Sequence, residues 1–286
     1  MARPLKHVPT PVPVPEKRGA GRQEQEPPTV SIDTSRRSAH EILDEATELA
    51  RKEIERPVKA LAFSGLAGGI TMGLTGMAVA ITRGTLGHGP NQDLVAFLFY
   101  PIGFIAVIIG RAQLFTENTL YPVILVLEEP RHIWATLRLW AVVLAANIAG
   151  AGLFAILAVR TGALNATFTK ELIALGRDSA SLGMADVFWT GVVGGWVIAL
   201  VAWMVTASHW TIGQIVVIWL LTFVVGIGHF AHCIATTGEI LAAVFSGSLP
   251  ATSYVRWIIP ATAGNILGGV FIVSLLNWGQ VRAGET

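Results

Sequence analysis

Residues 226–239 read GIGHFAHCIATTGE and set two histidines, two threonines and a carboxylate inside a long apolar run. A second interruption, GRAQLFTENT at residues 110–119, splits an apolar run in the first half of the chain. Side chains of these types in an apolar setting can hydrogen-bond a polar solute, hold an anion or pass a proton. A neutral imidazole donates from one ring nitrogen and titrates near neutral pH, and an ionisable group inside hydrocarbon is a functional candidate by default. His232 is therefore a candidate lining residue of a pathway, or else a hydrogen bond between helices. Glu239, seven residues on and on the same helical face, is a candidate proton relay to it. The alternatives for Glu239 are an ion pair with Arg111 or Arg138, or a protonated carboxyl at a subunit contact. Thr116 is expected to cap a half-helix and to face the pathway. Glu117 reads as a capping carboxylate, with a second possibility as a relay group, since negative charge suits a helix N-terminus.

These residues need elements to hold them. Of 286 residues, 52% are hydrophobic and 14% charged, and the mean hydropathy is +0.58. Soluble domains carry about 25% charged residues, so the composition indicates a polytopic membrane protein. Six stretches approach the roughly 20 apolar residues that a span requires: 60–82, 94–127, 133–159, 187–207, 212–245 and 254–278. The second and fifth are too long for one simple helix, and they are the two that carry the interruptions. Irregular backbone in a bilayer is tolerated only where protein or a water-lined cavity satisfies it, so two such breaks mark a pathway. The half-helices resuming after them bring unpaired N–H groups and the positive dipole end inward, which favours an anion or a polar solute.

Eleven Lys and Arg residues precede the first span, and an even number of spans returns the chain to the side it left. The positive-inside rule then places both termini in the cytoplasm and residues 160–186 outside. Residues 1–37, rich in Pro and charge, are expected to be a disordered tail. Residues 38–59 are expected to form an amphipathic interfacial helix opened by a Ser38/Glu41 capping box. Residues 60–280 form the transmembrane domain, and 281–286 a short cytoplasmic end. Each half contains Phe followed by a Gly-x-x-Gly-Gly run (Phe63–Ile70 and Phe188–Trp196). Each half closes on Asn-Ile with glycines, at Asn147 and Asn265, and an arginine stands nine residues before each asparagine. Three spans per copy is odd, so the repeats must be inverted, with two broken helices meeting near the midplane.

Net charge is +1, implying no nucleic-acid partner, and the single Cys233 excludes an internal disulfide. No apolar signal segment opens the chain, so no cleavage is expected. No metal-ligand cluster, phosphate-cradling loop or nucleophile–base pair stands out, and no cofactor or enzymatic activity is implied.

The interruptions bear a resemblance. GRAQLFTENTL resembles the Leu-Phe-Thr loop of the formate/nitrite transporter family, and FAHCIATTGEI resembles its second-break motif. FWTGVVGGWVIALVAWM and AGNILGGVF are similar to its fourth and sixth helices, so the likeness spans about residues 55–280. The resemblance implies an aquaporin-like protomer of six helices, the second and fifth broken, assembled as a homopentamer in the inner (plasma) membrane. It also implies passage of small monovalent anions, such as formate or nitrite, or of their conjugate acids. By the same resemblance His232 is the central pore histidine and Thr116 the loop threonine facing it. Leu114, Phe115, Tyr100, Phe104, Ile198 and Val225 then form the constrictions. The chain departs from the family at Ala231, Cys233 and Thr236, and Gly195 stands where the family has an asparagine partner for the histidine. An aquaporin-like pore for neutral solutes is the alternative, although neither break contains Asn-Pro-Ala; a non-transporting membrane scaffold is another.

Overall fold

The computed structural model describes residues 36–284; most of the tail expectation (residues 1–35) and residues 285–286 lie outside the described residues. Among the described residues every regular element is helical. The first helix, α1 (Ala39–Ile54), opens on the expected box: Ser38 Oγ accepts from the Glu41 N–H at 3.2 Å, and Glu41 accepts from the Ser38 N–H. Its apolar stripe, Ile42, Leu43, Ala46, Ala50 and Ile54, is buried against neighbouring helices of the chain. Arg51 pairs with Glu129, and Arg138 donates to the Ile54 carbonyl at the end of α1.

Helix α2 (Val58–Leu86) follows, about 43 Å long at 1.5 Å per residue. The chain then turns at Gly87 and Gly89 into α3 (Pro90–Phe97) and α4 (Ile102–Ile109), which together make one apolar span of 20 residues. The first break follows, and the chain resumes with a 3-10 turn (Glu117–Thr119) and α5 (Tyr121–Glu128). Helix α6 (Ile133–Arg160) crosses back, and α7 (Ala166–Ala180) lies in the long link. The second half contains α8 (Met184–Ala207), α9 (Thr211–Ile227), the second break, and α10 (Ala235–Phe245). It ends with α11 (Ala251–Leu267), a π-helical segment (Gly268–Leu275) and α12 (Leu276–Ala283).

Among the described residues five helical stretches are long and apolar enough to cross a bilayer, while α9 and α10 are apolar but shorter. Phe63 (74% exposed), Trp134 (77%), Trp189 and Ile259 are largely exposed on the outside of this chain. Large apolar side chains left exposed on these helices suit hydrocarbon as solvent, and the chain is a multi-pass membrane protein.

The two halves pack alike. Helix α2 lies along α6, and α8 lies along α11. A Cβ at Gly69 would overlap the main chain of Asn147, and one at Gly195 would overlap that of Asn265. Gly150 meets the Leu66 carbonyl and Gly268 the Val192 carbonyl in the same way. These glycines let backbones touch, which is how helices associate where no hydrophobic effect drives them together.

Candidate functional site

Both breaks begin as helix ends of one type. At the end of α4, Arg111 adopts φ 57°, and at the end of α9, His229 adopts φ 52°. The Ala112 N–H donates to the Val107 carbonyl at 3.1 Å, and the Phe230 N–H to the Val225 carbonyl at 3.0 Å. These are the long bonds of a Schellman cap, whose left-handed position is usually glycine. Two bulky residues hold it here. His229 meets the Phe97 ring edge-on at 5.0 Å, and Arg111 lines a cavity described below.

An asparagine from the neighbouring span then fixes each loop. Asn147 Oδ1 accepts from the Phe115 N–H at 2.9 Å, and its Nδ2 donates to the Gln113 and Gly65 carbonyls at 2.9 and 2.7 Å. Asn265 Oδ1 accepts from the Cys233 N–H at 2.8 Å, and its Nδ2 donates to the Ala231 and Gly191 carbonyls at 2.8 and 2.7 Å. Both asparagines are fully buried. Backbone groups that a broken helix would leave unpaired are thereby satisfied by one side chain.

Between the breaks lies one polar contact. His232 Nε2 and Thr116 Oγ1 are 2.8 Å apart, both fully buried. His232 Nδ1 accepts from the Ala235 N–H at 3.0 Å, with the Ile234 N–H at 3.4 Å. A ring nitrogen that accepts carries no proton, so the neutral ring is protonated on Nε2, which donates to Thr116. The threonine hydroxyl hydrogen is then left to point elsewhere. Phe104 packs edge-on against the imidazole at 4.9 Å, Tyr100 follows at 5.7 Å, and Phe97 lies 6.2 Å beyond that.

This aromatic ladder leads to a cavity of about 440 Å³ near the C-terminal end of α2, with Tyr100, Val225, Arg83, Glu239 and Trp257 in its wall. Arg83 Nε donates to Asp93 at 2.8 Å, and its guanidinium lies 5.2 Å over the Phe97 ring. At the opposite end of α2 a cavity of about 70 Å³ is lined by Leu114, Glu117 and Arg111, with Glu53 of α1 closing one side. Gln113 donates to Glu53 at 2.7 Å and accepts from Asn118 at 2.8 Å, tying α1 to the first loop.

The residues expected from sequence thus fall in three groups. Thr116, His232 and Phe104 meet at the centre; Tyr100 and Val225 face the larger cavity, with Glu239; Leu114 and Glu117 face the smaller. Ile198 is fully buried on α8, while Phe115 turns to Trp140, edge-on at 5.8 Å. Thr116 has helical φ and ψ (−71°, −26°) and makes no capping bond, and neither does Glu117. Glu239 faces Arg83, not Arg111 or Arg138. Sequence reasoning missed Arg83 as a site residue. It stands near the end of the first span, and only the Gly87–Gly89 turn brings Asp93 to it. Among the described residues no group of three or more His, Cys, Asp and Glu could hold a metal ion.

Residues 40–279 match the formate/nitrite transporter family. The chain is 36% identical over 234 residues to the inner membrane protein YfdC of Escherichia coli K12, covering 81% of this chain and 75% of that protein. It is 33% identical over 223 residues to a probable formate transporter of Methanothermobacter thermautotrophicus, covering 71% of this chain and 81% of the other. In fold it is similar to an FNT family ion channel, with a TM-score of 0.72 at 20% identity over 85% of this chain and 98% of that one. It is also similar to a pentameric formate channel with formate bound, with a TM-score of 0.66 at 19% identity over 79% and 98% of the two chains.

Proposed function

Because this chain belongs to the formate/nitrite transporter family, we propose that it is a membrane pore for small monovalent oxyanions such as formate or nitrite, or for their conjugate acids. The observation that carries this reading is the His232–Thr116 contact, among the described residues the side-chain hydrogen bond that joins the two helix breaks, with both partners fully buried. Moving a bare anion through such a centre is costly unless hydrogen bonds replace its water. His232 Nε2 fixes the threonine oxygen, and the Thr116 hydroxyl presents its hydrogen to the passing solute. The aromatic ladder on one side and Leu114 on the other strip water before that point. The ring keeps its Nδ1 bond to backbone throughout, so His232 serves as a fixed donor.

The protomer is read as inserted with both termini in the cytoplasm of the inner membrane and the cavity beside α7 outside. The similarity to a pentameric channel supports assembly of five copies, each with its own pore. The reading is tested by uptake of formate and nitrite into proteoliposomes at pH 5 and pH 8, with His232→Ala in parallel. Wild-type flux is expected, and the substitution should lower it roughly 100-fold, the scale of losing one preorganised donor in a dry site. Folded wild-type protein that passes neither solute at either pH would overturn the proposal.

A further inference from the structure

The centre has no proton to give. His232 Nδ1 accepts from backbone, and the proton on Nε2 is held by Thr116. Surrendering it would leave an imidazolate in apolar surroundings. If the solute crosses as a neutral acid, its proton must come from elsewhere along the path.

The larger cavity contains a candidate. Glu239 is 7% exposed, stands two turns past His232 on α10, and lines the cavity opposite Arg83. Its carboxyl makes no ion pair or hydrogen bond among the described residues. Burying a carboxyl without a partner is expensive, and a cavity-facing position is where solute or water can relieve it. Arg83 of α2 has its Nε committed to Asp93, while its two Nη groups keep no protein acceptor among the described residues. The Trp257 indole N–H, in the same wall, is buried and unpartnered. The remaining ionisable groups around Glu239 are Asp178 of α7, His229 at the break and Tyr100. Tyr254 of α11 is instead within hydrogen-bond distance of Thr237.

We propose that Glu239 is the proton donor of this mouth, passing its proton to a small carboxylate or similar oxyanion held at Arg83, so that the neutral acid enters the apolar stretch. The inference rests on the reading of the chain as a weak-acid pore. In the step, the Glu239 O–H bond breaks, an O–H bond forms on the substrate oxygen, and the electron pair stays on Glu239. The Glu239 carboxylate recovers a proton from hydronium in the cavity. The substrate loses its negative charge before the aromatic ladder, where an unpaired charge costs most. An arginine that holds the anion and a carboxylic acid that neutralises it are both required, which explains why opposite charges share one mouth.

The test uses the full chain in proteoliposomes carrying a lumenal pH dye, with formate as the probe. Glu239→Gln keeps the shape and removes the transferable proton. It should slow formate uptake and the coupled acidification about 100-fold at pH 7.5, the lower end of what a positioned acid contributes. At pH 5 the gap should narrow, because bulk solution then supplies ready-made formic acid; a packing defect would slow uptake equally at both. Glu239→Asp should retain most of the flux. In wild-type protein, dicyclohexylcarbodiimide should label Glu239, and formate should protect it, whether or not the glutamine variant folds. Wild-type flux matched by Glu239→Gln at both pH values, or no labelling of Glu239, overturns this inference and leaves the pore intact. Absence of wild-type flux overturns both.

Discussion

The two breaks share a frame and differ in what the frame presents. Each starts at a left-handed residue closing a Schellman cap, and each is held by an asparagine whose side chain accepts from a backbone N–H 32 residues earlier. Each asparagine also bonds the first glycine of a Gly-x-x-Gly-Gly run, Gly65 or Gly191. After the frame the likeness ends. The first break offers a threonine and resumes weakly, through a 3-10 turn whose last carbonyl, that of Thr119, accepts from Ser274 Oγ of the π-helical segment at 2.8 Å. The second offers a histidine and resumes at once as α10, almost wholly buried. The first opens on a small cavity against α1, the second lies by the large one. What the two breaks share is the frame, and what differs is the side chain each presents to the other, Thr116 from the first and His232 from the second.

The strongest way to break this comparison is to remove the clamps. Asn265→Leu leaves the Cys233 N–H and the Ala231 carbonyl without their partner, and Asn147→Leu does the same to the Phe115 N–H and the Gln113 carbonyl, while Gly191 and Gly65, inside α8 and α2, lose only a second donor. Orphaned buried groups cost about 1–3 kcal/mol each, so each variant should lose on the order of 3 kcal/mol or more. That corresponds to an unfolding temperature in detergent lower by about 10 °C. The two losses should be similar; a large loss at one site and none at the other would mean the frames are not equivalent.

The sequence made the breaks visible because polar residues at these positions contradict an apolar span, and the contradiction is local. His232 and Thr116 were legible for that reason, as was the helical fold of the membrane domain. The asparagines were legible only as markers of repetition. Spacing along the chain does not say which backbone a buried amide will reach; that follows from α2 lying along α6 and α8 along α11. Trp257 stands near the start of the last apolar stretch, where nothing local marks it, yet it is 3% exposed and lines the larger cavity. Arg83 reads as a span end, and its role depends on a turn that folds Asp93 back over it. Such residues carry their meaning in non-local contacts, which periodicity cannot supply.

The glycines sharpen the comparison at a smaller scale. A methyl group at Gly69 or Gly195 would overlap the asparagine main chain, so Gly69→Ala and Gly195→Ala should each cost about 1–3 kcal/mol by overpacking. Gly152, where a methyl would meet only Leu241 Cδ1 at 3.7 Å, is the control and should be nearly neutral. Thermal unfolding of the three variants checks the ranking. The same geometry bears on the histidine. A side chain at position 195 has no room here, and His232 finds its partner in Thr116.

The smallest effect belongs to the one feature without a counterpart, the docking of α1 against the first break. Glu129 is held down to about 2 from an ordinary 4.5, chiefly by its bond from Arg51, with Arg131 and His132 adding to it. A carboxylate whose folded value is depressed stabilises the fold fully above the unfolded value. That contribution fades as pH falls below about 4.5 and is gone once pH passes about 2. The pair is at the surface, where water and salt screen it. Glu129→Gln should therefore lower the unfolding temperature by about 1–2 °C at pH 7, and the difference from wild type should vanish on acidification toward pH 2. The second break has no such strap, so variants near it should show no matching acid dependence from this source. A difference that instead grows as pH falls would mean that Arg51 and Glu129 do not hold α1 over the first loop, and that the Gln113–Glu53 bond alone connects them.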